Sequence, residues 1–238
     1  MANPIFSAPP KRTPPAAGVR LFIALWPEAA VREALYAQAA PYAALGRRLP
    51  ARNLHVTLAF LGAVPAGRIE ELARLLRSAR PPACKLSFDR LGYFARTRVL
   101  WAGCSVVPAP LAAYQQRLMT ALAGAGFRAE KRDFEPHVTL LRDAGRPPAS
   151  LTGRGVLGAG LTGPGVLGAD PTGPGVPRAR PAEGGPGEPG AKPAEAGPGL
   201  PWTGASVPWA VREIALVDSE LAAGGPRYTV LRRVPAAR

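Results

Sequence analysis

The pattern that most restricts what this chain can fold into is an alternating strand segment. It occurs twice, each time around one of the only two histidines. The segments read Asn53-Leu54-His55-Val56-Thr57-Leu58-Ala59-Phe60 and Pro136-His137-Val138-Thr139-Leu140-Leu141-Arg142. Successive strand side chains point to opposite faces, so strict alternation puts Leu54, Val56, Leu58 and Phe60 on one core face. His55 and Thr57 then share the other face. In the second copy Val138 and Leu140 point inward, with His137 and Thr139 outward. Each strand offers one imidazole and one hydroxyl side by side. Histidine exchanges a proton near neutral pH, so two equivalent copies suggest a matched acid and base.

The duplication extends beyond the tetrapeptides. Leu21 to Trp26 reads as a strand, and Pro27-Glu28 opens a helix with Val31, Leu35 and Gln38 at helical spacing. That unit ends in the first His-x-Thr strand. Val99 to Val106 reads as a second strand, followed by a helix with Leu111, Tyr114, Leu118 and Leu122 along one stripe, closed by Gly124 or Gly126. That unit ends in the second motif. Between them, Ile69, Leu72, Leu75 and Leu76 mark an amphipathic helix. Lys85 to Phe94 and Arg98 to Val107 read as a hairpin turning near Ala95-Arg96-Thr97. Val211 to Val217 is β-rich, and Arg227 to Arg232 can pair with it. An α+β chain follows, with two related lobes of antiparallel sheet and helices facing each other across a cleft.

These residues resemble the 2H phosphoesterase superfamily, named for its two His-x-Thr-x motifs. Within it they are similar to the bacterial and archaeal RNA 2',3'-cyclic phosphodiesterase family, historically called 2'-5' RNA ligase. Leu21 to Leu25, Asn53 to Gly62 and Pro136 to Asp143 carry the likeness, as do Val217-Asp218-Ser219 and Gly225 to Leu231. It covers about residues 19–143 and 205–235. The resemblance implies that His137 is the base that activates water and His55 the acid that protonates the leaving 3'-oxygen. Taken alone, the identical motifs His55-Val56-Thr57-Leu58 and His137-Val138-Thr139-Leu140 do not decide which histidine plays which part. By the same resemblance, Thr57 and Thr139 donate hydrogen bonds to the phosphate and Arg142 contacts it, with no metal and no cofactor. The expected reaction is hydrolysis of an RNA 2',3'-cyclic phosphate end to a 2'-phosphomonoester, with 2'-5' ligation as its reverse. Strict alternation puts Arg142 on the core face, so the strand must end, twist or bulge to aim it at a phosphate. Tyr228 can line the cleft or serve structure, and Phe22 reads first as core. Two rivals stand beside this reading. One is another 2H activity, on RNA 3' ends or small cyclic nucleotides; the other is a non-catalytic RNA-binding protein.

Composition sets wider bounds. The formal charge of +14 favours a polyanionic partner, but a composition rich in Ala, Gly, Pro and Arg accounts for it equally well. Cys84 and Cys104 form no Cys-x-x-Cys pair and have no nearby His, which argues against structural zinc. Both read as small buried strand residues. No apolar run reaches the length of a membrane span, and the N-terminus lacks the pattern of a secretory signal, so the default is a cytoplasmic protein. A monomer is expected, although the sequence does not reveal the oligomeric state. The Pro-rich first 18 residues read as a disordered tail. Residues 145–201 are dominated by Gly, Pro and Ala, and Leu151 to Gly160 is nearly repeated at Leu161 to Asp170. Such a stretch cannot bury enough apolar surface to offset its ordering entropy. It reads as a disordered insertion from repeat expansion, more than as a tether for a partner.

Overall fold

The computed structural model describes residues 18–128, 134–147, 202, 204–222 and 225–237. The expected N-terminal tail through residue 17 and residues 148–201 of the repeat segment lie outside the described residues. The expected strand–helix–strand unit occurs twice. Strand β1 (Val19–Leu25), helix α1 (Ala29–Gln38), the short strand β2 (Arg47–Arg48) and strand β3 (Val56–Val64) form the first. After helix α2 (Ile69–Ser78) come β4 (Cys84–Phe88) and β5 (Arg90–Phe94). Strand β6 (Val99–Gly103), helix α3 (Ala109–Gly124) and β7 (His137–Arg142) form the second unit. Strands β8 (Val207–Val211), β9 (Glu213–Ala222) and β10 (Gly225–Pro235) complete the chain.

Seven strands form one antiparallel path in the order β10-β9-β1-β3-β7-β6-β5, with β2 added against β7. The first lobe is the β10–β3 half and the second the β7–β5 half. They join where Val56 of β3 pairs with Val138 of β7. One face of the sheet carries the helices. Val31 and Leu35 of α1, Leu72 and Leu76 of α2, and Leu111, Leu118 and Leu122 of α3 are buried in one cluster with Leu54, Val56, Leu58, Val138 and Leu140. Each such side chain contributes roughly 1.5–3 kcal/mol on leaving water. The helical stripes read from the sequence are thus the faces laid on the sheet.

Three local readings are corrected. Phe60 does not join Leu54, Val56 and Leu58 on the helix-bearing face. It is half-buried on the other side, packed with Phe22, because an extra residue interrupts the β3 ladder. Lys85 to Phe94 is not one strand of a hairpin. Strands β5 and β6 do pair, but the chain changes sheets at Asp89, and β4 pairs with β8. The Asp89 carboxylate accepts hydrogen bonds from the backbone N–H and hydroxyl of Ser105, which holds the change of direction. Of the cysteines, only Cys104 is fully buried, and it stands one residue past β6; Cys84 on β4 is half-buried. Burial pushes the Cys104 thiol up to about 11, so it is no nucleophile near neutral pH. No helix among the described residues is long and apolar enough to cross a membrane.

Candidate active site

The Val56–Val138 pair brings the two motifs together. Extending its antiparallel register one residue each way sets His55 opposite Thr139 and Thr57 opposite His137. The two valines face the helices and are wholly buried. The four polar residues are half-buried on the opposite face. The crossed arrangement follows from two identical motifs meeting head to tail at their middle residue.

Both imidazoles are held the same way. Nδ1 of His55 lies 2.6 Å from the carbonyl oxygen of Asn53, and Nδ1 of His137 lies 2.8 Å from that of Glu135. A carbonyl only accepts, so each Nδ1 carries the hydrogen and Nε2 is left to exchange a proton. Asn53 is itself fastened, its side-chain amide donating to the Pro226 carbonyl at 3.2 Å.

The surroundings of the two rings differ. His55 stacks on Trp26 with centroids 5.4 Å apart and planes 6° from parallel. Phe22 at 4.8 Å and Tyr228 at 5.2 Å, edge-on, complete its enclosure. Burial among these rings lowers the His55 pKa to about 4; the Asn53 carbonyl opposes this, and the charges of Arg142 and His137 add to it. His55 is therefore neutral at pH 7 in the free protein. His137 meets Phe94 edge-on at 5.2 Å and Trp101 at 6.0 Å. Trp101 lies flat on the strands. A Cβ at Gly92 would fall 2.1 Å from its ring and one at Gly103 2.5 Å, so only glycine lets the indole down.

Arg142 reaches this face through a β-bulge. Trp101 pairs with Thr139 and Leu100 with Leu141, leaving Leu140 as the extra residue. Leu140 and Leu141 both point to the core, and Arg142 returns to the side of His137 and Thr139. Its guanidinium lies beside the Tyr228 hydroxyl. Its Nε is enclosed with no partner among the described residues. Tyr228 is raised above the usual phenol range by burial, with the Arg142 charge and hydrogen bond opposing. The first motif has the matching bulge, since Ala24 pairs with Thr57 and Ile23 with Ala59, leaving out Leu58. The position equivalent to Arg142 is Phe60.

All the site residues read from the sequence gather here. Phe22 is buried as expected, but on the face of the histidines, against His55. Trp26, Asn53, Phe94 and Trp101 were not legible as site residues. The glycines flanking Trp101 in the β5–β6 ladder are the one signal that a large ring lies on that face. Among the described residues, no three His, Cys, Asp or Glu side chains gather into a group that could hold a metal. The arrangement is two proton-exchanging nitrogens, two hydroxyls and a guanidinium on one face, suited to an anionic group needing protons moved on both sides.

Comparison with known proteins bears on this arrangement. The RNA 2',3'-cyclic phosphodiesterase of Escherichia coli (strain K12) is 39% identical over 127 residues, which are 52% of this chain and 72% of that protein. A protein of the same name from Aeropyrum pernix is 34% identical over 96 residues, or 39% of this chain and 54% of that one. The crystal structure of Escherichia coli LigT complexed with 3'-AMP superposes with a TM-score of 0.63 at 28% identity, covering 93% of this chain and 99% of that one. Residues 24–154, more than half of the chain and spanning both motifs, match the model of the 2'-5' RNA ligase superfamily. The chain belongs to the 2'-5' RNA ligase superfamily.

Proposed function

We propose that this protein hydrolyses RNA 2',3'-cyclic phosphate ends to 2'-phosphomonoesters by acid–base catalysis between His137 and His55. The observation that carries the reading is the Val56–Val138 pairing, which sets both His-x-Thr pairs on one face with each Nδ1 tied to a carbonyl. The names of the curated relatives point the same way. His137 Nε2 takes a proton from water as the water oxygen bonds to phosphorus. The bond from phosphorus to the 3'-oxygen breaks, and His55 Nε2 delivers a proton to that oxygen. Thr57 and Thr139 donate to the non-bridging oxygens, where charge accumulates, and Arg142 balances it.

His55 must gain its proton before it can act as the acid. One of the influences that hold it neutral is the charge of Arg142. A bound phosphate anion offsets it and adds negative charge beside the ring, so proton uptake accompanies substrate binding. The reaction then needs no metal. With a 5'-hydroxyl in place of water as the nucleophile, the same groups break the bond to the 3'-oxygen and join a 2'-5' linkage, and water at high concentration keeps hydrolysis dominant. The direct test is incubation with RNA ending in a 2',3'-cyclic phosphate in the presence of EDTA, with identification of the product. A 2'-phosphate end is expected. Retention of the cyclic end, or activity only after a divalent metal is restored, overturns the reading.

A further inference from the structure

We propose that Arg47, side by side with Arg142, forms a second anion subsite that receives the phosphodiester adjoining the reacting end, making the site one for an RNA strand in preference to a lone nucleotide. This rests on the reading that the terminal phosphate occupies the histidine–threonine face.

The argument begins with register. Arg47 of β2 is the antiparallel partner of Arg142 of β7, and directly opposed residues project from the same side of a sheet with Cα atoms roughly 4.5–5.5 Å apart. Arg48 shows the contrast. It pairs with the buried Leu141, turns to the helix side, donates to the Tyr36 carbonyl at 2.6 Å and lies over the Tyr36 ring at 3.8 Å. Arg48 is occupied with structure, whereas Arg47 is on the face of the histidines.

The Arg142 guanidinium lies beside the hydroxyl of Tyr228, and the charge of Arg47 is close enough to act on it too. Like charges directly opposed across a ladder are destabilising, so the pair needs compensation. The neighbourhood supplies little. Asp143 Oδ2 stands 3.5 Å from Arg47 Nη2, with the two side chains 72% and 48% exposed. So long and exposed an ion pair contributes little. Arg142 Nε has no partner among the described residues. The surplus of positive charge from two opposed arginines, weakly compensated, marks this edge of the site as one that attracts anions.

The start of β10 shapes the wall. Gly225 has φ +108°, and a Cβ there would come within 3.0 Å of Arg47 Nη1, so bare backbone runs against the guanidinium. The next residue, Pro226, is fastened by Asn53, the residue whose carbonyl orients His55. The subsite is thus tied to the reacting end by a continuous chain of contacts. An RNA strand carries its next phosphate one nucleotide upstream of the terminal one; a cyclic mononucleotide has none to offer.

The experiment compares wild type with Arg47→Gln on two substrates, a 2',3'-cyclic mononucleotide and an oligoribonucleotide ending in the same cyclic nucleotide. The expected result is that the ratio of kcat/KM values, oligonucleotide over mononucleotide, falls about tenfold, chiefly through KM. The slope of log affinity against log salt for an oligonucleotide ending in a 3'-phosphate should shrink by about 0.7, the release from one single-strand phosphate contact. An equal loss on both substrates, or a ratio within about twofold of wild type with an unchanged salt slope, overturns the proposal. If wild type opens neither substrate, the reaction proposed above falls, and the salt slope of oligonucleotide binding alone decides whether Arg47 holds a strand phosphate. Arg47→Lys, which keeps the charge, should retain more than half of the slope difference; failure to do so in a folded variant also counts against it.

Discussion

The proposed chemistry is concentrated in two imidazoles whose surroundings differ although their motifs do not. His55→Ala and His137→Ala should each lower kcat by about two to four orders of magnitude, the usual worth of a positioned acid or base, measured on a cyclic-phosphate RNA. The double variant should lose less than the sum of the two if they act as a unit. The pKa of His55 adds a thermodynamic consequence. It is lowered from the ordinary 6.5 to about 4, chiefly by burial. Between these values the unfolded chain binds a proton at this residue and the folded chain does not, so stability is fully present above pH 6.5 and lost as pH falls toward 4. Urea unfolding at pH 4.5, 5.5 and 7 should therefore show a shallower pH dependence for His55→Gln than for wild type; parallel curves would mean that His55 titrates normally. The histidines and threonines were legible because period-two alternation and a repeated motif need only local sequence. The aromatic enclosure of His55 was not, since Phe22, Trp26 and Tyr228 come from β1, its end and β10, brought together by long-range pairing.

At the scale of elements, helices α1, α2 and α3 follow the stripes visible in the sequence, because an amphipathic helix carries its packing face in its own spacing. The strands depart from the reading wherever a residue is inserted into the ladder. Leu58 and Leu140 each reset the alternation, and a period-two count carried through them misplaces Phe60 and leaves Arg142 ambiguous. A bulge is a property of two strands together, so one strand's composition does not announce it. The β5–β6 hairpin offers a test of packing on the cleft face. Gly92→Ala forces a Cβ to 2.1 Å from Trp101, a collision with a ring that is 1% exposed and has nowhere to move. The expected cost is about 1–3 kcal/mol, read as a lower urea midpoint, and Trp101→Leu in the same chain should recover part of it.

For the whole molecule, the family match runs from residue 24 to 154 and ends just inside the repeat segment. The described chain remains packed to Ala144 and Gly145, whose backbone N–H groups donate to Arg98 and Leu45 carbonyls, and Trp202 packs against the core again. Replacing residues 149–200 with a Gly/Ser linker of about twelve residues should leave the unfolding midpoint and cyclic-phosphate hydrolysis nearly unchanged, because closure entropy varies slowly with loop length. A folded deletion variant without turnover would show that the segment takes part in the reaction.

The bulges also bear on the handedness of the reaction. A cyclic phosphate presents two nearly equivalent ester oxygens, and two identical half-sites related by a dyad would accept it in either orientation and open either bond. The dyad is broken five residues beyond each histidine, where one half ends in the hydrocarbon of Phe60 and the other in the cation of Arg142. On the proposed reaction, charge on one side and none on the other favours one of the two poses. Part of the regioselectivity is then expected from a pair of residues outside both motifs, and the proportion of 2'- to 3'-phosphate among the products of an Arg142→Gln variant measures how much of it they supply.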